Sequence, residues 1–397
     1  MGTYRVSFDF DFDQPIPREG TDSVKYDDRI AYFGTADVTP LWVADMDFAA
    51  PSAVTAALVA RAAHPIYGYT RYPDSLYDAL IGWMQQRHGW AVKREWILMC
   101  PGVVPSLHAA VMAFARPSEG VIVQPPVYFP FFSAVTSSAR HLVENPLQLI
   151  DGRYRIDFDH LEHSAANGAK LLLLCSPHNP VGRVWQSDEL TEILRIARQY
   201  GLVVLSDEIH ADLVYPDQQQ TMMATLADEA DKLITAVAPS KTFNIPGLGL
   251  SCLIIPNPEV RAKISTVFAS QHVNASNPFS IVAFEAAYRE GGAWLEALMV
   301  YLQGTRDLVL DYVREHLSGI RAIAPEGTYL MWLDCRDMQL SNVALRDFFI
   351  HQAKLGMNPG TVFGTGGSGF MRLNLAAPRH IIMAALQRVS QAQGLSG

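Results

Sequence analysis

Cysteine is scarce in this chain of 397 residues, and the four present lie far apart. Cys100, Cys175, Cys252 and Cys335 show no metal-ligand spacing and sit mostly in apolar surroundings. They read as reduced core residues of a cytoplasmic protein, with no metal site. Basic runs are missing as well. The formal net charge is −9, and the Lys93–Arg94 pair in KREW is an isolated, solvated loop. A nucleic-acid surface needs clustered Lys and Arg, so that class of function is set aside. No apolar run approaches the roughly 18 residues of a membrane span, so no membrane association is expected. The first twenty residues are acidic and lack a basic stretch followed by an apolar one, so no signal peptide is expected. There is no internal repeat. Low complexity is confined to DQQQT (217–221) and GTGGSG (364–369), which read as mobile loops.

What the chain does have is length and apolar content. Hydrophobic residues make up 49% and charged residues 18%, the balance of a globular protein rather than a disordered one. The length allows two domains with substantial cores. Residues 1–44 read as an irregular arm with a Pro-rich turn at Gln14–Arg18. Residues 52–63 have helical spacing behind Pro51, where a missing N–H costs little. Residues 74–89 form an amphipathic pattern, with Asp74 as N-cap and Gly89 as stop. From about Trp96 to Ile255, short apolar strands alternate with helices: WILMC, GVIVQ, LLLLC, LVVLS, KLITAVA and LSCLIIP. That alternation predicts an α/β fold whose sheet is mostly parallel and flanked by helices on both faces. A long helical stretch follows from about Asn277. Then come a strand in TYLMWLDC, a helix around 343–354, a strand in GFMRLNLA and a helix over 378–393. The alternation in this last third suggests a second, smaller α/β domain.

Three of the apolar strands end in a polar group. Leu171 to Cys175 leads to Asn179 in a Pro-punctuated turn. Leu202 to Leu205 delivers Asp207, and Leu233 to Val237 runs into Lys241. In open α/β sheets, ligands bind outside the carboxyl ends of the strands, so three such ends point to one site. A lysine held there is desolvated, which lowers its pKa and exposes a nucleophilic amine. The three groups match the needs of pyridoxal 5′-phosphate. An amine links to the aldehyde, a carboxylate keeps the pyridine nitrogen protonated, and an amide bonds the ring phenolate.

The order Asn179, Asp207, Lys241, spaced 28 and 34 residues apart, resembles the fold-type I pyridoxal-phosphate enzymes, the aspartate aminotransferase superfamily. Eight segments sharpen that resemblance to the MalY/PatB-type carbon–sulfur lyases, the cystathionine β-lyases. They are PLWVADMDF (40–48), YGYT (67–70), PGVVPSL (101–107), PPVYFPF (125–131), SPHNPVGRVW (176–185), SDEIHADL (206–213), SKTFNIPGL (240–248) and GFMRLNLAAPR (369–379). The resemblance implies an arm over 1–45 associated with the small domain. It further implies a large cofactor-binding domain over 46–285, with a sheet of the seven-stranded type, and a small domain over 286–397.

The resemblance also assigns residues. The turn MCPGVVPSL opens a helix, whose first N–H groups are unsatisfied and suit a phosphate. Gly102, Val103 and Val104 are therefore phosphate candidates, with Ser240 as a second. Tyr67 is expected to reach the phosphate of a neighbouring subunit, which implies a homodimer. Tyr128 either stacks on the pyridine ring or is a core tyrosine. His210 either tunes Asp207 or packs beside it. Arg372 is expected to grip a substrate α-carboxylate through its planar fork, with Asn374 nearby. Asp45 and Asp47 belong to the motifs, with loop structure or N-capping as their reading. The implied reaction is β-elimination on a small sulfur amino acid such as L-cystathionine, with Lys241 as base, giving a thiol such as homocysteine, pyruvate and ammonia. An aminotransferase on the same scaffold is the alternative. His178 stands where aminotransferases more often have Asn, and Gly249 where many carry a phosphate-gripping Arg. A regulatory protein that keeps the fold is a third reading, which nothing in the sequence supports.

Overall fold

The computed structural model describes residues 10–395. Its centre is a seven-stranded sheet. The strands are β1 (Ile97–Cys100), β2 (Gly120–Val123), β3 (His141–Glu144), β4 (Leu171–Cys175), β5 (Val203–Asp207), β6 (Leu233–Val237) and β7 (Ser251–Ile254). Their order across the sheet is β1-β7-β6-β5-β4-β2-β3. The inner strands read as continuous apolar runs because both faces are covered. Leu171 to Leu174 are at most 1% exposed, and burying each such leucine contributes about 1.5–3 kcal/mol.

The sheet is parallel except for β7, which runs antiparallel to both β1 and β6. The connection from Val237 to Ser251 holds only a one-turn helix (Pro239–Thr242) and a 3-10 turn (Pro246–Leu248), with no crossover helix. Without a crossover helix the chain returns beside β6 in the opposite direction. That return keeps Lys241 at the carboxyl edge of the sheet.

Several elements depart from their sequence pattern. Strand β3 has no counterpart among the apolar runs of the sequence, because HLVE at a sheet edge carries none. A small hairpin pairs Gln148–Ile150 with Arg153–Arg155 around Asp151-Gly152, both at positive φ. Asp-Gly between two short runs is the sequence signature of such a two-residue hairpin loop. The arm is not irregular over its described part. It forms short helices Val24–Asp27 and Arg29–Phe33, and Thr39–Pro40 pairs with Leu355–Gly356. Asp74 is the first residue of the helix Asp74–His88 and Pro73 the cap, while Gly89 ends it at φ 64° as predicted. The helix Ser52–Ala63 has the bounds its spacing predicts.

The helical stretch after Asn277 is two helices, Pro278–Glu290 and Gly292–His316, with the break at Gly291. A Cβ at Gly291 would lie 2.3 Å from the Phe243 ring and 2.4 Å from the Ala287 carbonyl oxygen. A second sheet follows, made of β8 (Arg321–Ile323), β9 (Leu330–Asp334), β10 (Asn358–Pro359) and β11 (Phe370–Asn374). It is antiparallel throughout, in the order β8-β9-β11-β10. The helix predicted around 343–354 runs as Asn342–Asp347 and then a π-turn, Phe348–Gln352. Trp332 of β9 and Phe370 of β11 share one apolar core with Leu172 and Leu174 of the central sheet. Arg372 of β11 donates to Asn179, which brings the second sheet to the edge where the strand ends lie. No helix among the described residues is long and apolar enough to cross a membrane.

Gly291→Ala forces Phe243 or the Ala287 turn to move. We expect a loss of about 1–3 kcal/mol, read as a lower midpoint of urea unfolding.

Candidate active site

The strand ends converge. Asn179, Asp207 and Lys241 line one cavity of about 200 Å³ at the carboxyl edge of the central sheet. Gly102, Val103, Val104, Tyr128, His210 and Ser240 line the same cavity. Val103 begins a twelve-residue helix whose first N–H groups face no intrahelical acceptor. Tyr128 is fixed by its backbone, whose N–H donates to the Asn179 carbonyl at 3.1 Å. His178 is buried and its Nε2 lies 2.9 Å from the Pro126 carbonyl oxygen, bracing the segment that leads to Tyr128. Gly249 also lines the cavity, at φ 50° and ψ 45°. An L side chain is disfavoured in that left-handed conformation, which accounts for glycine there.

Burial dominates the electrostatics. It pushes the Asp207 carboxyl up to about 7, against smaller opposing effects of the Ile209 N–H and of Lys241. Lys241 is brought down to about 8, first by burial, with Asp45 pulling up, Arg372 down and Asp207 up. Part of Lys241 still opens onto a second, wider groove of about 770 Å³ lined by Arg18, Asp45 and Asn244, so the amine stands between two spaces. His210 falls to about 3, through burial and then the charges of Lys241 and Arg372, so its ring is neutral at pH 7.

Arg372, on β11, is 3% exposed. It donates to Asn179 Oδ1 at 3.0 Å, to Asn358 Oδ1 at 2.7 Å and to the Trp42 carbonyl at 2.8 Å. Among the described residues its Nε has no hydrogen-bond partner, and neither does His210 Nδ1. Buried polar atoms without partners are costly and mark a place where a ligand atom fits.

Asn374 does not stand as a substrate contact. Its Nδ2 donates to the Val43 and Asp45 carbonyls, both at 2.7 Å, and its Oδ1 accepts from the Ala376 N–H. Both amide donors are spent on backbone. What Asn374 holds is a strap, residues 42–47, whose Ala44 lines the cavity. Arg372 holds the Trp42 carbonyl. Lys241 Nζ donates to Ala44 at 2.7 Å, and Asn244 donates to Met46 at 3.0 Å. Asp45 and Asp47 gain a definite place as well. Arg18 pairs with Asp45 at 2.6 Å and with Asp47 at 2.8 Å, and fully buried Lys25 pairs with Asp47 at 2.9 Å. Neither aspartate caps a helix. They tie the arm to the strap.

The sequence reading missed Arg18, Lys25, Ala44 and Asn244. Asn244 carried a signal, three residues after Lys241 inside a motif. Ala44 acts through its backbone, which no side-chain pattern reveals. Tyr67, expected to serve a neighbouring subunit, does not line this subunit's own cavity. Its hydroxyl donates to the Ala62 carbonyl, and the residue is 55% exposed.

Residues 36–388 match the family model described as aminotransferase class I and II. The chain belongs to that family. It is similar to cystathionine β-lyase PatB of Bacillus subtilis, with 42% identity over 96% of this chain and 99% of the relative. It is 32% identical to protein MalY of Escherichia coli, over 93% of this chain and 95% of that one. Among solved structures it is similar to cystalysin of Treponema denticola. There the identity is 38% and the TM-score 0.95, with 98% of this chain and 100% of the other covered. That structure contains a pyridoxal 5′-phosphate cofactor. The family read from the eight motifs is the one that matches, and the fold is that of fold-type I pyridoxal-phosphate enzymes.

The raised pKa of Asp207 has a consequence for stability. Its folded value, about 7, lies above its ordinary 3.8, so the folded chain binds more protons than the unfolded one between those values. Stability therefore falls as pH rises through that window, by up to about 1.4 kcal/mol per unit. Asp207→Asn removes this dependence. Without added ligand, the variant should match wild type near pH 4 and exceed it increasingly up to pH 7, read as the difference in thermal midpoint. Glu208, also raised to about 7 by burial, is common to both proteins and cancels.

Proposed function

We propose that this chain is a pyridoxal-phosphate-dependent carbon–sulfur β-lyase. Its substrate is L-cystathionine or a related cysteine S-conjugate, and its products are a thiol such as homocysteine, pyruvate and ammonia. The observation that carries this reading is the meeting of Lys241 Nζ, Asp207 and Asn179 with a helix N-terminus in one cavity, in a chain 42% identical to a cystathionine β-lyase over nearly its whole length.

The residues present fit the cofactor. The helix start at Gly102, Val103 and Val104, with Ser240, suits its phosphate. Asp207 suits the pyridine nitrogen, Asn179 Nδ2 the ring oxygen and Tyr128 the ring face, with His210 alongside. The partnerless atoms His210 Nδ1 and Arg372 Nε support a ligand that brings acceptors. When bound, the cofactor supplies an electron sink for negative charge at the substrate's α-carbon.

The rest is the work of the chain. Arg372 holds the substrate α-carboxylate and so fixes which bond at the α-carbon faces Lys241. Lys241 Nζ, with a pKa brought down to about 8, removes the α-proton as general base. Asp207 keeps a proton on the ring nitrogen; its burial strengthens that pairing. The carbon–sulfur bond then breaks, the thiolate leaves with the bonding electron pair, and the released aminoacrylate takes up water to give pyruvate and ammonia.

An aminotransferase would use the same groups. The lyase reading is favoured because the long full-length matches include a named cystathionine β-lyase. The reading extends to assembly. Ile66, Tyr67 and Tyr69 are exposed on one loop, and Tyr67 lies outside this subunit's own cavity, which supports a homodimer with Tyr67 serving the partner's phosphate. It extends to domains too. An arm over 1–45, a large domain over 46–285 and a small one over 286–397 are consistent with two sheets and with Thr39–Pro40 pairing beside the second; residues 1–9 and 396–397 lie outside the described part. A cytoplasmic location is supported by four free, buried cysteines.

The test is release of pyruvate and free thiol from L-cystathionine with pyridoxal phosphate and no keto acid. Equal amounts of both are expected, whereas activity only with a keto acid would establish the aminotransferase instead. Lys241→Ala should lower kcat at least about a thousandfold, as removal of a base that also anchors the cofactor does. Near-wild-type turnover would remove Lys241 from the mechanism.

A further inference from the structure

Tyr329 belongs to none of the roles assigned above. It directly precedes β9 and is 1% exposed. Its hydroxyl donates to the Ala44 carbonyl oxygen at 2.9 Å. Lys241 Nζ donates to that same oxygen at 2.7 Å. A carbonyl oxygen has two lone pairs, so these two donors fill it. The carbonyl cannot turn away, because Asn374 holds the carbonyls on either side, those of Val43 and Asp45.

The backbone before Tyr329 is unusual. Thr328 is fully buried at φ 68°, in the left-handed region that a β-branched residue seldom enters. It is held by its N–H to the Leu213 carbonyl at 2.6 Å, and its Oγ1 accepts from the Leu330 N–H at 3.1 Å. At Gly327 a Cβ would come to 3.0 Å from Val184 and 3.1 Å from the Leu213 carbonyl oxygen. Such strain persists only where the surroundings over-determine it, and it gathers at sites that need a fixed geometry. Here it aims one hydroxyl at the acceptor of the Lys241 amine.

We propose that Tyr329 is a positioning residue that sets the basicity of Lys241. By occupying one lone pair of the Ala44 carbonyl, it weakens that oxygen's hold on the ammonium form and favours the free amine. The proposal rests on the reading of Lys241 as the base. The charged and titratable groups facing Lys241 are Asp207 at the end of β5, His210 just after it, Asp45 on the strap and Arg372 on β11, with the Tyr128 hydroxyl beyond them. Asp45, Arg372 and Tyr128 also face the Tyr329 phenol, which is neutral and so adds no charge to them. Burial, then Asp45, pushes the Tyr329 phenol upward, so it stays a donor.

The test uses two replacements of opposite sign. Tyr329→Phe removes the donor. Site-specific 3-fluorotyrosine at 329 is a more acidic phenol and therefore a stronger donor. Two readouts follow Lys241: the acid limb of kcat against pH in the cofactor-loaded enzyme, and the pH dependence of the rate at which pyridoxal phosphate bonds to the cofactor-free full chain, followed by absorbance. The Phe protein should shift both upward by about half a unit to one unit, and the fluorinated protein should shift both downward. An unmoved pH dependence in both proteins, with only the thermal midpoint lowered, would show that the hydroxyl merely ties the strap and would overturn the proposal. If the Phe protein does not fold, the fluorinated one decides alone by its downward shift or the lack of it. Turnover surviving Lys241→Ala would instead strike the reading of Lys241 as base.

Discussion

Taking two ionisable groups out of water is the constraint on which the rest of this structure depends. Asp207 and Lys241 sit at the ends of neighbouring buried strands, where burial is the largest influence on each. That burial raises a carboxyl pKa to about 7 and brings an amine's down to about 8, a perturbation of the kind that gathers at functional sites. The central sheet exists in its observed form to deliver these groups together. Parallel strands β4, β5 and β6 place their carboxyl ends side by side. The antiparallel return of β7 turns the chain back at the edge where Lys241 emerges.

A desolvated site also needs a wall, and here the wall is backbone. The strap over 42–47 offers its carbonyls one after another to Arg372, Asn374, Lys241, Tyr329 and Asn244. These donors come from the second sheet and from the lysine turn, so the strap joins the two regions at the cavity. The ion cluster of Arg18, Lys25, Asp45 and Asp47 fixes the strap from behind. Burying Lys25 and Asp47 costs solvation, and such clusters are seldom retained for stability alone. It anchors the residues next to Ala44, whose carbonyl accepts from the Lys241 amine.

Much of the site was legible in the sequence because each of its groups terminates an apolar run. Asn179, Asp207 and Lys241 could be read as one site before any coordinates, since buried parallel strands must end at a common edge. Gly102 to Val104 and Tyr128 followed from strand–turn–helix patterns and from family resemblance, and they line the same cavity. Asn374 was legible as a polar residue on a strand, but not as a clamp on the strap. Strand β3 and the short helices of the arm were hidden because their sequences carry charge and little apolar periodicity. Tyr329 was hidden because a tyrosine beside an apolar strand reads as core until its hydroxyl's partner is known.

The sequence by itself determined the α/β class, the strand ends, the kind of chemistry and the family, because periodicity and residue type survive in one dimension. The tertiary structure alone decided which groups share an acceptor. The Ala44 carbonyl meets Lys241 from 197 positions away and Tyr329 from 285. Contacts of that span made through backbone atoms leave no trace in residue type, since every residue carries the same carbonyl.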